Sequence, residues 1–314
     1  MGITREHLFK ALGAYEADAP DLDKWTHRAY TEEEVRRWKE DPYFTSSFHA
    51  SSFPASEKSC GRQLLYKLMN FPEPEPISAK GIGIMEVGKC VEEQIVERWS
   101  KLGLVLGPKY PEQLKIENEH LWLSGYIDAP LNLLPDWHYV LPVEIKSKKN
   151  SVIEYMKVGG QEYDEKHYNQ LQAYIDWCIR NHEAMGWDKL GLKPAQGGII
   201  YYVSREDPRN THEFYVKADE LAIASANTKL ETWRQDYLLD NLPERSKEWK
   251  WTEEPCKWCP FKKNICKPDD KAGIVNLSQS NGVEFALQMN PGYNAEDIKR
   301  RVEERWTQTQ LELF

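Results

Sequence analysis

The sequence lacks any long apolar run, and this absence excludes a membrane-spanning helix. No stretch approaches the roughly 18 consecutive apolar residues that cross a bilayer. The opening residues MGITREHLFKALG have neither the apolar core nor the small-residue cleavage site of a secretory signal. Internal repeats and low-complexity tracts are also missing. We therefore expect a cytoplasmic protein.

The chain also has no excess of positive charge. Its formal net charge of −9 excludes nucleic-acid binding through a globally basic surface, whereas a local basic channel or a bound metal ion remains compatible with it. The 314 residues include 40% hydrophobic and 29% charged side chains, which is the composition of one or two packed globular domains. Function must therefore be sought in local groups of residues.

Cysteine is scarce, and its six copies are unevenly placed. In a reducing compartment they argue against a disulfide framework. Four of them could supply the thiolates of one tetrahedral metal site, namely Cys60, Cys256, Cys259 and Cys266. Zinc and an iron–sulfur cluster both accept four thiolates, and spacing alone does not separate them. Cys90 and Cys178 lie in apolar helical patterns, which predicts that they are buried in the core.

Periodicity predicts an α/β chain with a helical N-terminal cover over residues 1–59, a core over 60–272 and a linker, helix and tail over 273–314. The helices of the core are predicted near residues 60–71, 82–102, 168–181 and 219–239. Its strands are predicted at 112–120, 121–134, 138–148, 197–205 and 211–217. We expect the first three strands to form one antiparallel meander. Outside the core, helices are predicted at 31–41 and 295–308.

Two charges share one face of the third predicted strand. Residues two apart on a strand point the same way, so Glu144 and Lys146 lie opposite the apolar Val143 and Ile145. A hairpin turning near residues 134–136 would bring Asp128 to Glu144. Two carboxylates beside a lysine repel each other unless one is protonated or a divalent cation lies between them. Mg²⁺ or Mn²⁺ suits these oxygen ligands and can activate a phosphodiester for hydrolysis. An ordinary surface ion pair is the alternative.

The helices predicted on either side of these strands carry further polar groups. Glu92 lies on the preceding helix, while Gln170 and Tyr174 are four residues apart and share one face of the following helix. Both helices could point these groups at one site or present them to solvent. Lys148 and Lys149, just beyond the strand, are placed to meet phosphates or to be solvated. The eight histidines show no ligand-pair spacing and are expected to be structural or solvated.

These residues resemble the motifs of the RecB-like branch of the PD-(D/E)XK nucleases, and within it the iron–sulfur nucleases, which include the CRISPR-adaptation exonucleases and viral or phage relatives. The family pattern is Gly-x-x-x-His on a helix, then Asp, then Glu-x-Lys, then Gln-x-x-x-Tyr. The matching positions in this chain are Gly88 to Glu92, Asp128, Glu144 to Lys146, and Gln170 to Tyr174. The resemblance covers about residues 60–267, with Glu92 in place of the family's His. A carboxylate can also bind a hard cation.

The resemblance implies a fold and a role for each of these residues. The fold is a restriction-endonuclease-like α/β core, a mixed sheet flanked by helices, with a helical N-terminal cover and an iron–sulfur closure. The implied ligands of the catalytic metals are Glu92, Asp128, Glu144 and the carbonyl of Ile145. Lys146 would position or deprotonate the attacking water and stabilise charge on the phosphate. Gln170 and Tyr174 would orient the substrate backbone or the lysine.

The same resemblance favours a [4Fe–4S] cluster over zinc. The family has one cysteine upstream of the nuclease core in a Cys-x-Arg pattern, which Cys60-Gly61-Arg62 matches, and three cysteines near its end. The implied ligands are Cys60, Cys256, Cys259 and Cys266. Such a cluster would join the two ends of the core and reduce the entropy of the unfolded chain, much as a long disulfide does.

The last residues resemble the peptides that bind sliding clamps. The bacterial form, Gln-Leu-x-Leu-Phe, is matched by Gln310, Leu311, Leu313 and Phe314, and Gln308 begins a match to the archaeal and eukaryotic form. In an exposed tail these apolar side chains would enter a groove of the clamp. Alternatively, the tail folds back and buries the same residues on its own domain.

Together these features predict a metal-dependent DNA exonuclease that acts on single strands or DNA ends through two-metal-type phosphodiester hydrolysis, with endonuclease activity as an option. CRISPR adaptation with its integration complex, recombination, repair and replication-linked processing would all use this chemistry. Two alternatives stay open. One is a catalytically weak DNA-binding scaffold, and the other is a zinc-stapled interaction protein.

Metal analysis of anaerobically purified protein tests the cysteine prediction. We expect about four iron atoms per chain, with visible absorbance that falls on reduction, because a [4Fe–4S] cluster holds that number. Cys259→Ser should lose both signals, and Cys178→Ala, which changes a predicted core thiol, should keep them. One zinc per chain without iron would contradict the cluster and support the interaction protein.

Overall fold

The computed structural model of the chain describes residues 47–57, 59–68, 79–108, 110–239, 243, 256 and 259. The chain divides into two compact units. One unit comprises residues 1–42 and 76–84, of which only 79–84 are described. The other unit comprises residues 43–75 and 85–314, and it contains every helix and strand described below apart from residues 79–84. The helices predicted at 31–41 and 295–308, Cys266 and the tail lie outside the described residues. The three-part domain division stays a prediction.

The described helices and strands follow the predicted order. The helices are α1 (Gly61–Leu68), α2 (Ala79–Lys101), α3 (Asn150–Lys157), α4 (Glu165–Asn181) and α5 (Glu220–Leu238). The strands are β1 (Phe48–His49), β2 (Leu114–Asn118), β3 (Leu123–Ile127), β4 (Ala129–Leu131), β5 (Leu141–Lys148), β6 (Gly197–Ser204) and β7 (Thr211–Lys217). The sequence patterns did not predict α3 and β1, which are short.

Side-chain caps set where α4 and α5 begin. The Asp164 carboxylate accepts a hydrogen bond from the backbone N–H of Lys166 at 3.0 Å, and the Asp219 carboxylate accepts one from Ala222 at 2.9 Å. Each cap satisfies a backbone donor that the first helical turn leaves without a partner. Because α4 begins at Glu165, its first turn lies beside the end of β5 and contributes to the site described below.

The strands form two sheets rather than one meander. The first has the order β1-β3-β2 and the second the order β4-β5-β6-β7. β2 and β3 are antiparallel, as predicted, but the chain leaves β3 after Ile127 and enters β4 at Ala129, which pairs with Val143. The prediction of a single meander was wrong because Asp128 breaks the strand, its carboxylate accepting the backbone N–H of Ile145 at 2.8 Å.

The four-stranded sheet is mixed and has helices on both faces. β5 and β6 are parallel, while β4 with β5 and β6 with β7 are antiparallel. On one face, Val91 and Val96 of α2 belong to an apolar cluster with Val143 and Ile145. On the other face, Leu171 of α4 belongs to a larger cluster. The predicted α/β class, a mixed sheet flanked by helices, is confirmed.

The two isolated cysteines differ in burial. Cys178 is fully buried, as predicted. Cys90 is exposed, so the prediction of a core position was wrong for this residue. The apolar pattern around Cys90 is misleading because α2 buries the side that carries Val91 and Val96 and leaves Val87 exposed.

None of the helices in the described ranges combines the length and the apolar character needed to cross a bilayer.

Gly198 lets α4 and β5 approach β6 closely. A Cβ atom at this position would lie 2.6 Å from the carbonyl oxygen of Pro142 and 2.7 Å from Cδ1 of Leu171. We expect Gly198→Ala to destabilise the protein by about 1–3 kcal/mol, because a backbone oxygen has little room to move. Denaturant unfolding measures the change. Gly83→Ala, where a Cβ atom would meet nothing within 4 Å, is the control and should not lower stability.

Candidate active site

Asp128 and Glu144 are buried close together where β4 pairs with β5, at one side of the four-stranded sheet. Asp128 directly precedes β4, and Glu144 lies in β5, next to the pair formed by Ala129 and Val143. Asp128 is 8% exposed and Glu144 is 0% exposed. The hairpin predicted from the sequence therefore brings two carboxylates together where water has little access.

Lys146 supplies the positive charge beside these carboxylates. Its Nζ atom forms an ion pair with Oε1 of Glu144 and lies 4.0 Å from Oδ2 of Asp128. The Lys146 side chain is 29% exposed, so its ammonium lies between the buried carboxylates and solvent. The period-two pattern of β5 correctly placed Glu144 and Lys146 on one face.

Gln170 and Tyr174 of α4 form a chain of contacts that ends at Asp128. Nε2 of Gln170 donates to the Tyr174 hydroxyl at 2.5 Å, and this hydroxyl lies 3.5 Å from Oδ1 of Asp128 as a donor. Tyr174 is fully buried. Its contact with Asp128 indicates that Tyr174 orients this carboxylate. Direct contact with a substrate, as the sequence suggested for both residues, stays a prediction.

Glu92 of α2 is electrostatically linked to the same site. Its Oε1 atom accepts a hydrogen bond from Nε2 of Gln113 at 2.8 Å. The charge of Asp128 raises the pKa of Glu92, while that of Lys146 lowers it, so both groups are near enough to act on it. The sequence did not identify Gln113, because it lies in a connecting segment outside the recognised motifs.

The carboxylates of the site resist ionisation because they are buried near one another. Burial, followed by the charge of Asp128, raises the pKa of Glu92 to about 7 and raises that of Glu144 well above its ordinary value. Burial also raises the pKa of Asp128, against the opposing effects of Lys146 and the Ile145 amide. For Lys146, burial lowers the pKa, but Glu144 and Asp128 outweigh it and the net shift is upward.

The carboxylate oxygens of this site are ligands that suit a divalent cation. Both carboxylate oxygens of Glu144 are buried, and the ammonium of Lys146, which pairs with Oε1, is shared with Asp128. Two buried carboxylates beside one ammonium leave an excess of negative charge, and a divalent cation would offset it. Within the described ranges no three His, Cys, Asp or Glu side chains form a ready-made metal cage. The fit therefore rests on the buried acceptors of Glu144 and on the neighbouring Asp128 and Glu92.

A second polar group lies next to Lys146. Tyr202 of β6 is the register partner of Lys146, and its hydroxyl contacts His167 of α4 and the backbone of Asp164. Lys148 lies 3.9 Å from a carboxylate oxygen of Asp164, while Lys149 is exposed. The histidine spacing did not predict this contact, because Tyr202 and His167 lie 35 residues apart on different elements.

Of the four cysteines predicted to bind one metal group, the described residues include three. Cys60 directly precedes α1, and Cys256 is buried. The backbone N–H of Cys259 donates to the carbonyl of Cys256 at 3.2 Å, so these two residues lie close together. Nε of Arg62 donates to the carbonyl of Pro243 at 2.5 Å, which places Pro243 beside the start of α1.

Comparison with known proteins gives solved structures but no family. No family model and no curated protein matches the chain. The chain is similar to an alkaline exonuclease (LHK-Exo) from Laribacter hongkongensis, with a TM-score of 0.40 and 13% identity over 66% of this chain and 92% of that one. The same exonuclease in complex with dAMP gives 0.39 and 13% over 62% and 88%. The crystal structure of SSO0001 gives 0.36 and 14% over 77% and 95%.

Glu144 is one of two buried carboxylates that share the ammonium of Lys146, which makes its neutral isostere informative. In the presence of a chelator, we expect Glu144→Gln to stabilise the protein by about 1 kcal/mol, because it removes the excess negative charge and leaves Asp128 beside Lys146. Added Mn²⁺ should raise the unfolding temperature of the wild type but not of this variant. Thermal unfolding with and without Mn²⁺ measures both effects.

The control for this experiment is Glu93→Gln. Glu93 follows Glu92 in α2, but its side chain is 46% exposed and lies 3.9 Å from Lys89. Its replacement should change neither the stability without metal nor the gain with Mn²⁺. An equal gain with Mn²⁺ in Glu144→Gln would contradict a role for Glu144 in binding the ion.

Proposed function

We propose that this protein is a metal-dependent DNA exonuclease that hydrolyses phosphodiester bonds of single-stranded DNA or of DNA ends. The observation that carries the proposal is the convergence of Asp128, Glu144 and Lys146 in one buried site, in the motif order of the RecB-like nucleases. Two buried carboxylates share the one ammonium of Lys146, which leaves an excess of negative charge that a bound cation would balance.

The proposed metal ligands are the carboxylates Glu92, Asp128 and Glu144, with the carbonyl of Ile145 as a further ligand. When bound, Mg²⁺ or Mn²⁺ supplies an activated water and positive charge at the scissile phosphate, in the two-metal manner. Glu92 takes the place of a histidine, and its bond from Gln113 fixes the orientation of its carboxylate.

The remaining residues orient groups and stabilise charge. Lys146, beside both carboxylates, places its ammonium where negative charge develops on the phosphate. The Tyr174 hydroxyl, which accepts a hydrogen bond from Gln170, donates to Oδ1 of Asp128. The Ile145 amide donates to the other oxygen, Oδ2. This support keeps Asp128 from rotating when substrate enters.

A [4Fe–4S] cluster bound by Cys60, Cys256, Cys259 and Cys266 is part of the proposal. Two features support it. The backbone bond from Cys259 to Cys256 keeps these two residues close together, and the bond from Arg62 holds Pro243 beside the helix that Cys60 precedes. The cluster would fasten both ends of the core and would take no part in hydrolysis.

The proposed partners follow from the sequence motifs. DNA is the substrate, and the tail residues Gln310, Leu311, Leu313 and Phe314 would bind a sliding clamp. Such a tether would raise the local concentration of the nuclease at replication or recombination sites. Trimming in the cytoplasm during CRISPR adaptation, beside an integration complex, would use the same chemistry.

Cleavage of end-labelled single- and double-stranded DNA by anaerobically purified protein tests the proposal. We expect hydrolysis only with Mn²⁺ or Mg²⁺, and a loss of at least about 100-fold in Lys146→Ala and Asp128→Ala, because each removes charge stabilisation at the phosphate. Lys101→Ala, which changes an exposed lysine paired with Glu97, should retain wild-type activity.

Two results would overturn the nuclease proposal. The first is wild-type protein that binds DNA without cleaving it while its cluster is intact, which would support the DNA-binding scaffold. The second is cleavage that survives in both Lys146→Ala and Asp128→Ala, which would place the chemistry elsewhere.

A further inference from the structure

The group formed by Tyr202, His167, Asp164 and Lys148 adjoins the proposed catalytic residues. Tyr202 pairs with Lys146 across the parallel strands β5 and β6. Register partners on neighbouring strands place their side chains on the same face of a sheet, about 4.8 Å apart. The Tyr202 ring is therefore next to the Lys146 side chain, on the face that carries Glu144.

The hydrogen bonds of Tyr202 determine where His167 carries its proton. The backbone N–H of Asp164 donates to the Tyr202 hydroxyl at 3.0 Å, and that hydroxyl lies 2.8 Å from Nδ1 of His167. Nδ1 is the only hydrogen-bond acceptor that this hydroxyl reaches among the described residues, so its own proton is directed to Nδ1. The imidazole is then neutral and carries its single proton on Nε2.

Burial and nearby charges keep this imidazole neutral. Burial, together with the charges of Lys146, Lys148 and Lys166, lowers the pKa of His167 to about 3 against the opposing charge of Asp164. At neutral pH the ring is therefore a hydrogen-bond donor without a net charge. The donor is the Nε2–H group.

Nε2 of His167 is left without a protein acceptor. Within the described ranges, this atom forms no hydrogen bond. It is also absent from the fully buried polar atoms that lack a partner, so it is not sealed from solvent. Lys148 lies near the same side, with Nζ 5.7 Å from the centre of the Tyr202 ring. A fixed neutral donor beside an ammonium is an arrangement that suits a phosphate oxygen.

We propose that His167 is a second phosphate-binding residue of this site, whose Nε2–H donates to a non-bridging oxygen of the linkage next to the scissile one. Tyr202 acts as a positioning residue that fixes the tautomer and orientation of the imidazole, and Lys148 adds charge. This inference rests on the proposed nuclease function. It extends the substrate contacts from the carboxylates along β6 to the first turn of α4.

Three substitutions of His167 separate binding from structure. The side-chain amide of His167→Gln places an N–H near the position of Nε2, whereas that of His167→Asn reaches only the position of Nδ1. We expect His167→Ala and His167→Asn to lose about tenfold in kcat/KM, mainly through KM, as for the loss of one hydrogen bond to a charged group. His167→Gln should stay within about threefold of the wild type.

Tyr202→Phe removes the hydroxyl that orients the ring. We expect a loss similar to that of His167→Ala, with no further loss in the double variant, because both act on one contact. Additive losses would contradict the positioning role of Tyr202. Thermal unfolding of each variant shows whether any loss merely follows a loss of stability.

Oligonucleotides with a single methylphosphonate identify the contacted linkage. The methylphosphonate is placed at each of the first linkages in turn, and it removes the charge and one acceptor oxygen of that linkage. In the wild type, the linkage next to the scissile bond should be about tenfold sensitive, and in His167→Ala this sensitivity should largely disappear. Equal sensitivity in both proteins at every linkage would overturn the inference.

The wild-type reaction distinguishes the two levels of the proposal. If the wild type hydrolyses DNA with Mn²⁺ and every His167 variant matches it, only the inference is wrong. If His167→Gln loses as much kcat/KM as His167→Ala at unchanged stability, the proposed contact through Nε2–H is wrong. If the wild type hydrolyses no DNA, the nuclease proposal and the inference both fail.

Discussion

The burial of Asp128 and Glu144 beside the single ammonium of Lys146 is the constraint on which the site depends. Taking two like charges out of water is costly, and one cation compensates only part of that cost. The Ile145 amide and Tyr174 also donate to Asp128, but both carboxylates share the ammonium of Lys146, which leaves an excess of negative charge in the site. Excess buried charge is costly, and the cation binding that we propose would offset this cost.

The same face of the sheet then divides into two chemically different ends. At the end formed by β4 and β5 lie the carboxylates that we propose bind a cation. At the end formed by β6 and α4, Tyr202 contacts His167, the proposed phosphate donor, and Lys148 lies over the Tyr202 ring. Lys146 lies between these ends because β5 and β6 are parallel and in register. In the proposed function, the regularly spaced anionic oxygens of a phosphodiester backbone would contact both ends in succession.

The part of the site that depends on short-range geometry could be predicted from the sequence. A period of two places Glu144 and Lys146 together, and a spacing of four places Gln170 and Tyr174 together. Contacts between distant segments have no such signature, which is why Gln113 and the bond between His167 and Tyr202 were missed. The break between β3 and β4 was missed because one side-chain bond, from Asp128 to Ile145, outweighs an unbroken strand pattern. In α2, periodicity predicted a helix but gave the wrong environment for Cys90.

Asp128 is the only residue between Ile127 at the end of β3 and Ala129 at the start of β4, so one carboxylate is covalently attached to both sheets. Any rotation of one sheet against the other turns the backbone of this residue and moves its oxygens relative to Glu144. The affinity for an ion would then vary with the angle between the sheets. By reciprocity, an ion bound there would stiffen the joint between them.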